Sequence, residues 1–304
     1  MMTAPTLQHL RGTLRFEEPM ARHTSWRAGG AVERFYLPAD LDDLALYLTS
    51  LPMDESIWFV GLGSNLLVRD GGLSGTVIGL SGCLSQLDIL AQNRVRVEAG
   101  VACPKLARTT AKAGLAGLEF LCGVPGTLGG ALAMNAGALG SETWEFVTEL
   151  ETLDRQGQRH VRTPGDYEVG YRHVAGPEGE WFVAATFKLA KGDVHVSLEK
   201  IKANLARRAA TQPTHQPNAG SVFRNPPGDY AARLIETCGL KGHCIGGACV
   251  SEKHANFIIN TGTATAGDIE ALIDKVAQTV QQEHGIELMR EVRIVGERGG
   301  RDGG

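Results

Sequence analysis

Residues 123–137 read Gly123-Val124-Pro125-Gly126-Thr127-Leu128-Gly129-Gly130-Ala131-Leu132-Ala133-Met134-Asn135-Ala136-Gly137. A hinge or a glycine-rich packing helix would use such a run. So would a flat ligand or a pyrophosphate pressed against backbone, because the glycines keep side chains off one continuous surface. About 60 residues earlier, straight after the apolar run Ile57-Trp58-Phe59-Val60, stands a second cluster, Gly61-Leu62-Gly63-Ser64-Asn65-Leu66. It opens like a dinucleotide-binding fingerprint and then departs from it. Leu66 occupies the third glycine position, and Arg69-Asp70-Gly71-Gly72 follows in place of a helix, which argues against a Rossmann site. A Gly-Ser-Asn turn after a strand is compatible with an ordinary tight turn. It also suits an anion, since successive N–H groups with the Ser64 hydroxyl and Asn65 amide form a nest. Together the two loops point to a large nucleotide or flavin cofactor spanning two lobes.

The composition agrees with a globular chain that has a specific use for glycine. Of 304 residues, 43% are hydrophobic and 21% charged, and 39 are glycine, roughly twice the usual ~7%. Without a Gly-X-Y period a collagen is excluded. A net charge of −4 excludes a bulk polyanion binder, so no nucleic-acid partner is expected. No apolar run is long enough to span a membrane, and the first residues carry no apolar signal-peptide core, so a cytoplasmic protein is expected. Six cysteines are too sparse for a disulfide framework. Cys238, His243, Cys244, Cys249 and His254 match no zinc spacing, and no metal is expected. Nothing in the sequence demands an oligomer.

Helices and strands are signalled without a regular βαβ alternation, which favours α+β lobes. Asp40 caps a helix carrying Leu41, Leu44 and Leu48. Asp268 sits near the start of a longer one with Ile269, Leu272, Ile273, Val276 and Val280 on one stripe. A third runs from about Asp229 to a stop at Gly239. Strands are expected at 57–60, 77–80, 94–98, 181–189, 257–260 and 292–295. A charged helix at 198–210 followed by a proline-punctuated stretch marks a boundary near residue 193. The final segment, 297–304, is expected to be disordered.

Six segments in order, HTSWRAGG (23–30), VGLGSNLLV (60–68), EFLCGVPGTLGGALAMNAG (119–137), GYR (170–172), GSVFRNP (220–226) and REVRIVG (290–296), resemble the UDP-N-acetylenolpyruvoylglucosamine reductase family over nearly the whole chain. The resemblance implies a bilobed FAD-binding unit of the vanillyl-alcohol-oxidase type, with lobes at 1–80 and 81–193, and a C-terminal α+β substrate domain at 194–296. FAD would then lie on Gly61, Leu62, Gly63, Ser64, Asn65 and Leu66, and on Gly123, Val124, Pro125, Gly126, Thr127, Gly129, Gly130, Asn135, Ala136 and Gly137. The implied activity is NADPH-fed reduction of an enolpyruvyl ether on a UDP-sugar.

Three catalytic positions come with the resemblance. Arg172 would clamp the substrate carboxylate, since a planar guanidinium binds it bidentately and cannot lose its charge. Ser221 would donate the proton. Glu291 would orient the proton-delivery network or the carboxylate terminus. For the substrate's pyrophosphate the candidates are Arg224, Asn225 and Arg208, with Arg207, Lys241 and Lys253 as further cations. Two alternatives stay open: an oxidase of the same flavin fold, and a non-catalytic nucleotide-sugar binder. The 70 positions between Ser221 and Glu291 resemble the shorter branch of the family, which lacks an inserted tyrosine lid. Val174 and Arg224 stand where the family commonly has serine and lysine.

Overall fold

A computed structural model describes residues 9–299 of the chain. Two of its helices begin where short polar side chains satisfy the first free N–H groups. The Asp40 carboxylate accepts from the Asp43 N–H at 2.9 Å, and the helix Leu41–Ser50 follows, burying Leu41, Leu44, Tyr47 and Leu48. Thr265 and Asp268 form a reciprocal capping box for the helix Ala266–His284, which ends at Gly285 in the left-handed region with φ 68°. Among the described residues no helix is long and apolar enough to cross a membrane.

The chain divides into two units. One contains Phe35–Gly61, Thr76–Ala206 and the segment up to Arg15; the other contains Phe16–Arg34, Leu62–Gly75 and the residues from Arg207 onward.

The first unit is built on a five-stranded antiparallel sheet in the order Arg159–Arg162, Val147–Asp154, Glu180–Lys188, Arg94–Glu98, Leu87–Leu90. Val95 and Val97 alternate inward, and Ala185 lies between Leu150 and Val97 in register. On that face the helix Cys103–Lys112 presents Cys103, Leu106, Ala107, Thr110 and Ala111, the i, i+3, i+4, i+7, i+8 stripe of an amphipathic helix. Also in the first unit, Ile57–Val60 pairs in parallel with residues 76–79, in the register Ile57↔Thr76 to Val60↔Gly79.

In the second unit the helix Ala266–His284 buries Ile269, Leu272, Ile273, Val276 and Val280 against an antiparallel sheet of Cys244–Ile245, Ala248–Val250 and Ile258–Asn260. Trp26, fully buried, donates its indole N–H to the Ile258 carbonyl at 2.8 Å, and its own carbonyl accepts from the Asn260 amide at 2.8 Å. Leu66–Val68 pairs in parallel with Arg293–Val295. Arg69 then forks onto Glu270 through two bonds of 2.9 Å.

One expectation needs correction. Six cysteines promised no disulfide framework, yet Cys244 and Cys249 are bridged, with their Cα atoms 4.1 Å apart. The hairpin turn Gly246-Gly247 sets them directly opposite each other, a register that their five-residue spacing alone does not announce. Of the expected tail, residues 300–304 lie outside the described residues, whereas Glu297 exchanges backbone hydrogen bonds with Gly71 and Gly72.

Candidate functional site

In the first unit the 123–137 stretch is neither a hinge nor a continuous helix. It is stitched along Ala99–Cys103: Cys103 N–H donates to Gly126 O, Leu128 N–H to Val101 O, and Gly129 N–H to Ala99 O. The short helix Leu128–Ala133 starts there. Gly129 is required by packing, because a Cβ would stand 3.1 Å from the Ala99 Cβ. Gly130 is different. It is exposed, a Cβ there would meet nothing within 4 Å, and a glycine inside a helix sacrifices about 0.5–1 kcal/mol relative to alanine. Folding alone gives no reason for it; a flat group laid on this face does.

Gly61, which opens the other glycine cluster, comes against the same stretch. A Cβ on it would lie 2.1 Å from Thr127 Oγ1. Thr127 is 2% exposed, and its hydroxyl makes no hydrogen bond among the described residues. A buried hydroxyl left so is costly unless something polar meets it. The bare Gly130 face, the close Gly61 backbone and the Thr127 hydroxyl together fit a phosphate-bearing flavin.

Asn135 and Gly137 close the stretch and position Arg172. Asn135, 2% exposed with φ 45°, donates its amide to Glu142 at 2.7 Å and to Gly170 O at 3.2 Å, and accepts from the Trp144 N–H. Gly170 and His173 face each other across a two-residue hairpin turn, Tyr171-Arg172. Arg172 occupies the second turn position with φ 54°, where glycine or asparagine is usual. Its guanidinium donates to Asn135 O at 3.2 Å and Gly137 O at 2.8 Å. A strained backbone and two fixed hydrogen bonds hold one cation against the glycine stretch. Glu142 and Trp144 contribute to this arrangement and carry no signal in the sequence.

In the second unit Gly63 has φ 58° and no room for a side chain, since a Cβ would lie 2.1 Å from His23 O. Two residues on, the Asn65 amide donates to the Glu291 carbonyl at 3.1 Å, and Asn65 O accepts from Arg293 N–H at 3.0 Å. Glu291 N–H in turn donates to Val222 O at 2.8 Å. Asn65, Glu291 and the residue after Ser221 are thereby consecutive in one hydrogen-bonded chain. Ser221 follows Gly220, whose φ is 76° and whose side has open space.

The substrate candidates are more dispersed. Arg224 is half-buried, and its Nε makes no hydrogen bond among the described residues. The Asn225 side chain is exposed and accepts from Ala231 N–H at the start of the helix Ala231–Thr237. Arg208 bonds Gln212 at 2.9 Å, and Lys241 pairs with Glu236 at 2.7 Å. Arg290, next to Glu291 in sequence, pairs with Asp274.

Comparison with known proteins follows this division of labour. Residues 33–162 match a family model described as FAD binding domain. Residues 212–295 match UDP-N-acetylenolpyruvoylglucosamine reductase, C-terminal domain. Among curated relatives, the UDP-N-acetylenolpyruvoylglucosamine reductase of Legionella pneumophila strain Philadelphia 1 is 58% identical over 288 residues, covering 94% of each chain. That of Thiobacillus denitrificans is 56% identical, covering 97% of this chain and 95% of its own. The crystal structure of the Thermus caldophilus UDP-N-acetylenolpyruvylglucosamine reductase superposes with a TM-score of 0.80 at 31% identity, over 94% of this chain and 99% of that one. With its FAD-binding domain, its C-terminal reductase domain and this likeness along its length, the chain belongs to the UDP-N-acetylenolpyruvoylglucosamine reductase family of FAD-dependent oxidoreductases.

Proposed function

We propose that the chain reduces UDP-N-acetyl-3-O-(1-carboxyvinyl)-glucosamine to UDP-N-acetylmuramate with NADPH as electron donor, a step in making peptidoglycan precursors. The lobes at 1–80 and 81–193 form a flavin unit of the vanillyl-alcohol-oxidase type, and 194–296 binds substrate. Residues 61–66, 123–127, Gly129, Gly130 and 135–137 hold FAD. When bound, FAD takes reducing equivalents from NADPH and supplies hydride to the terminal carbon of the enol ether.

The protein's own work is electrostatic and protonic. Negative charge grows on the substrate carboxylate as hydride arrives, and Arg172 receives it with a guanidinium whose plane is set by Asn135 O and Gly137 O. Ser221 gives a proton to the carbon that bears the carboxylate. Glu291 orients that delivery, and Arg224, Asn225 and Arg208 take the UDP pyrophosphate. The observation that carries this reading is the chain Asn65–Glu291–Val222, which sets a flavin-loop residue and the proposed orienting acid beside the Ser221 turn. Both substrate and donor are soluble nucleotides, so the reaction belongs in the cytoplasm, with no nucleic-acid or membrane partner.

The test separates two half-reactions. Purified protein should be yellow, bleach with NADPH in the absence of oxygen, and regain colour on adding the enolpyruvyl UDP-sugar. Ser221→Ala should keep the bleaching and lose the recovery. Near wild-type recovery in that variant would remove Ser221 from the mechanism. Peroxide formation from a sugar or alcohol, without response to the enolpyruvyl substrate, would favour the oxidase instead.

A further inference from the structure

We infer that Asn256 is a positioning residue for proton delivery, acting on Ser221 through the backbone of Val222 and Phe223; the inference rests on Ser221 being the proton donor. Gly220 restrains Ser221 from neither direction, having left-handed backbone and open space around it. The restraint must come from the residues after the serine. Val222 and Phe223 are each 1% exposed, and Asn256, 3% exposed, takes three of their four backbone polar groups. Its main-chain carbonyl accepts from Val222 N–H at 2.9 Å, its Oδ1 accepts from Phe223 N–H at 3.0 Å, and its Nδ2 donates to Phe223 O at 2.8 Å. The fourth group, Val222 O, goes to Glu291 N–H.

Phe223 pairs with Arg290 on one side as an isolated bridge, so its N–H and C=O turn to the other side, where among the described residues no strand pairs with it. The Asn256 carboxamide stands in for that strand. The site demands a donor and an acceptor on two separate atoms of one planar group; an aspartate anion lacks the donor, and serine, whose single oxygen both donates and accepts, lacks the second atom and the reach. Proton transfer needs a donor within hydrogen-bond reach of its target, and small displacements there are expensive in rate. Asn256 is far from each glycine stretch in sequence, and its bonds to Val222 and Phe223 tie it to the Ser221 turn.

The chemistry of the amide gives a test that a merely structural role does not pass. In Asn256→Asp, burial and the facing Phe223 carbonyl raise the new carboxyl above the ordinary ~3.9. Once protonated, it donates to Phe223 O and accepts from Phe223 N–H, remaking both bonds. Charged or titratable groups on the segments packed around it are Arg224, Arg290 and Glu291, with Glu252, Lys253 and His254 on its own loop. Each rate is therefore compared with wild type at the same pH.

Flavin reoxidation by the enolpyruvyl UDP-sugar is followed in stopped flow for Asn256→Asp, Asn256→Ser and Ser221→Ala. At about pH 8 both Asn256 variants should be slower by about tenfold or more. At about pH 6 Asn256→Asp should return to within about threefold of wild type, while Asn256→Ser stays slow. Bleaching by NADPH should remain within about twofold throughout. Wild-type reoxidation in both Asn256 variants, or equal losses in both at each pH, would overturn the inference while a slow Ser221→Ala left the serine in place. Loss of flavin, or of NADPH bleaching, would also overturn it, because the effect would not be confined to the Ser221 turn. A fast Ser221→Ala would instead remove the premise.

Discussion

Replacing Arg172 separates the strain in its backbone from the chemistry of its side chain. Its φ of 54° places a non-glycine residue in the left-handed region, which costs about 1–2 kcal/mol. Arg172→Ala and Arg172→Gly both lose the hydrogen bonds to Asn135 O and Gly137 O, so that loss cancels between them. Alanine keeps the strain. Glycine removes it and gives back about 0.5–1 kcal/mol through the greater freedom of the unfolded chain. The glycine variant should therefore be the more stable by about 0.5–1 kcal/mol, the reverse of the order found where φ is negative. Urea titration reads this directly, with Trp144 as an internal probe that is buried beside Asn135. With a slope of about 2 kcal/mol/M, the midpoints should differ by about 0.3–0.5 M. Turnover should fall in both variants by the same factor, about 10²–10³, because the guanidinium proposed to clamp the carboxylate is gone from each. An alanine variant as stable as the glycine one would show that no strain is stored there.

Three further outcomes follow from other parts of the molecule. Gly130→Ala should stabilise the flavin-free protein by about 0.5–1 kcal/mol in thermal melts and at the same time weaken FAD retention on a desalting column; unchanged retention would detach Gly130 from the cofactor. Hydrogen bonding from Arg69 holds the Glu270 carboxyl below its ordinary value, so the pair stabilises the fold fully above the unfolded pKa of ~4.3 and the effect is lost as pH falls through the lower folded value. Glu270→Gln should accordingly flatten the acid limb of stability against pH and lower stability at neutral pH. Reducing Cys244–Cys249 opens a short loop that the hairpin already closes, so a dithiol should lower stability by at most about 2 kcal/mol, with alkylation and mass analysis confirming two released thiols.

Much of the fold is written locally and could be read. Asp40 with the Leu41, Leu44, Leu48 spacing gives the helix Leu41–Ser50, and the alternation around Val95 and Val97 gives the strand Arg94–Glu98. Caps and periodicities act within a few residues, and the sequence carries them openly. The short helix Leu128–Ala133 was obscured because its glycines suppress the usual pattern. The Cys244–Cys249 bridge depends on hairpin register, and the Arg172 turn on a positive φ that an arginine does not advertise. For the proposed site, motifs pointed one by one to Asn65, the Ser221-Val222 turn and Glu291. The hydrogen bonds that join them span 226 residues in one case, and the Asn256 amide that holds Phe223 looks like any polar loop residue until the chain folds.

The pairing of Leu66–Val68 with Arg293–Val295 joins segments more than two hundred residues apart. A ribosome completes the 61–66 loop well before the strand that flanks it, which emerges more than two hundred residues later. Continuous Thr76–Ala206 has its sheet partners at hand during synthesis; Trp26 must wait for Ile258, and Leu66 for Arg293. Such distant closure makes folding slow, and it leaves apolar residues such as Trp26 and Leu67 uncovered meanwhile. A stop codon just before residue 293 would thus strip the partner strand from a loop more than two hundred positions upstream.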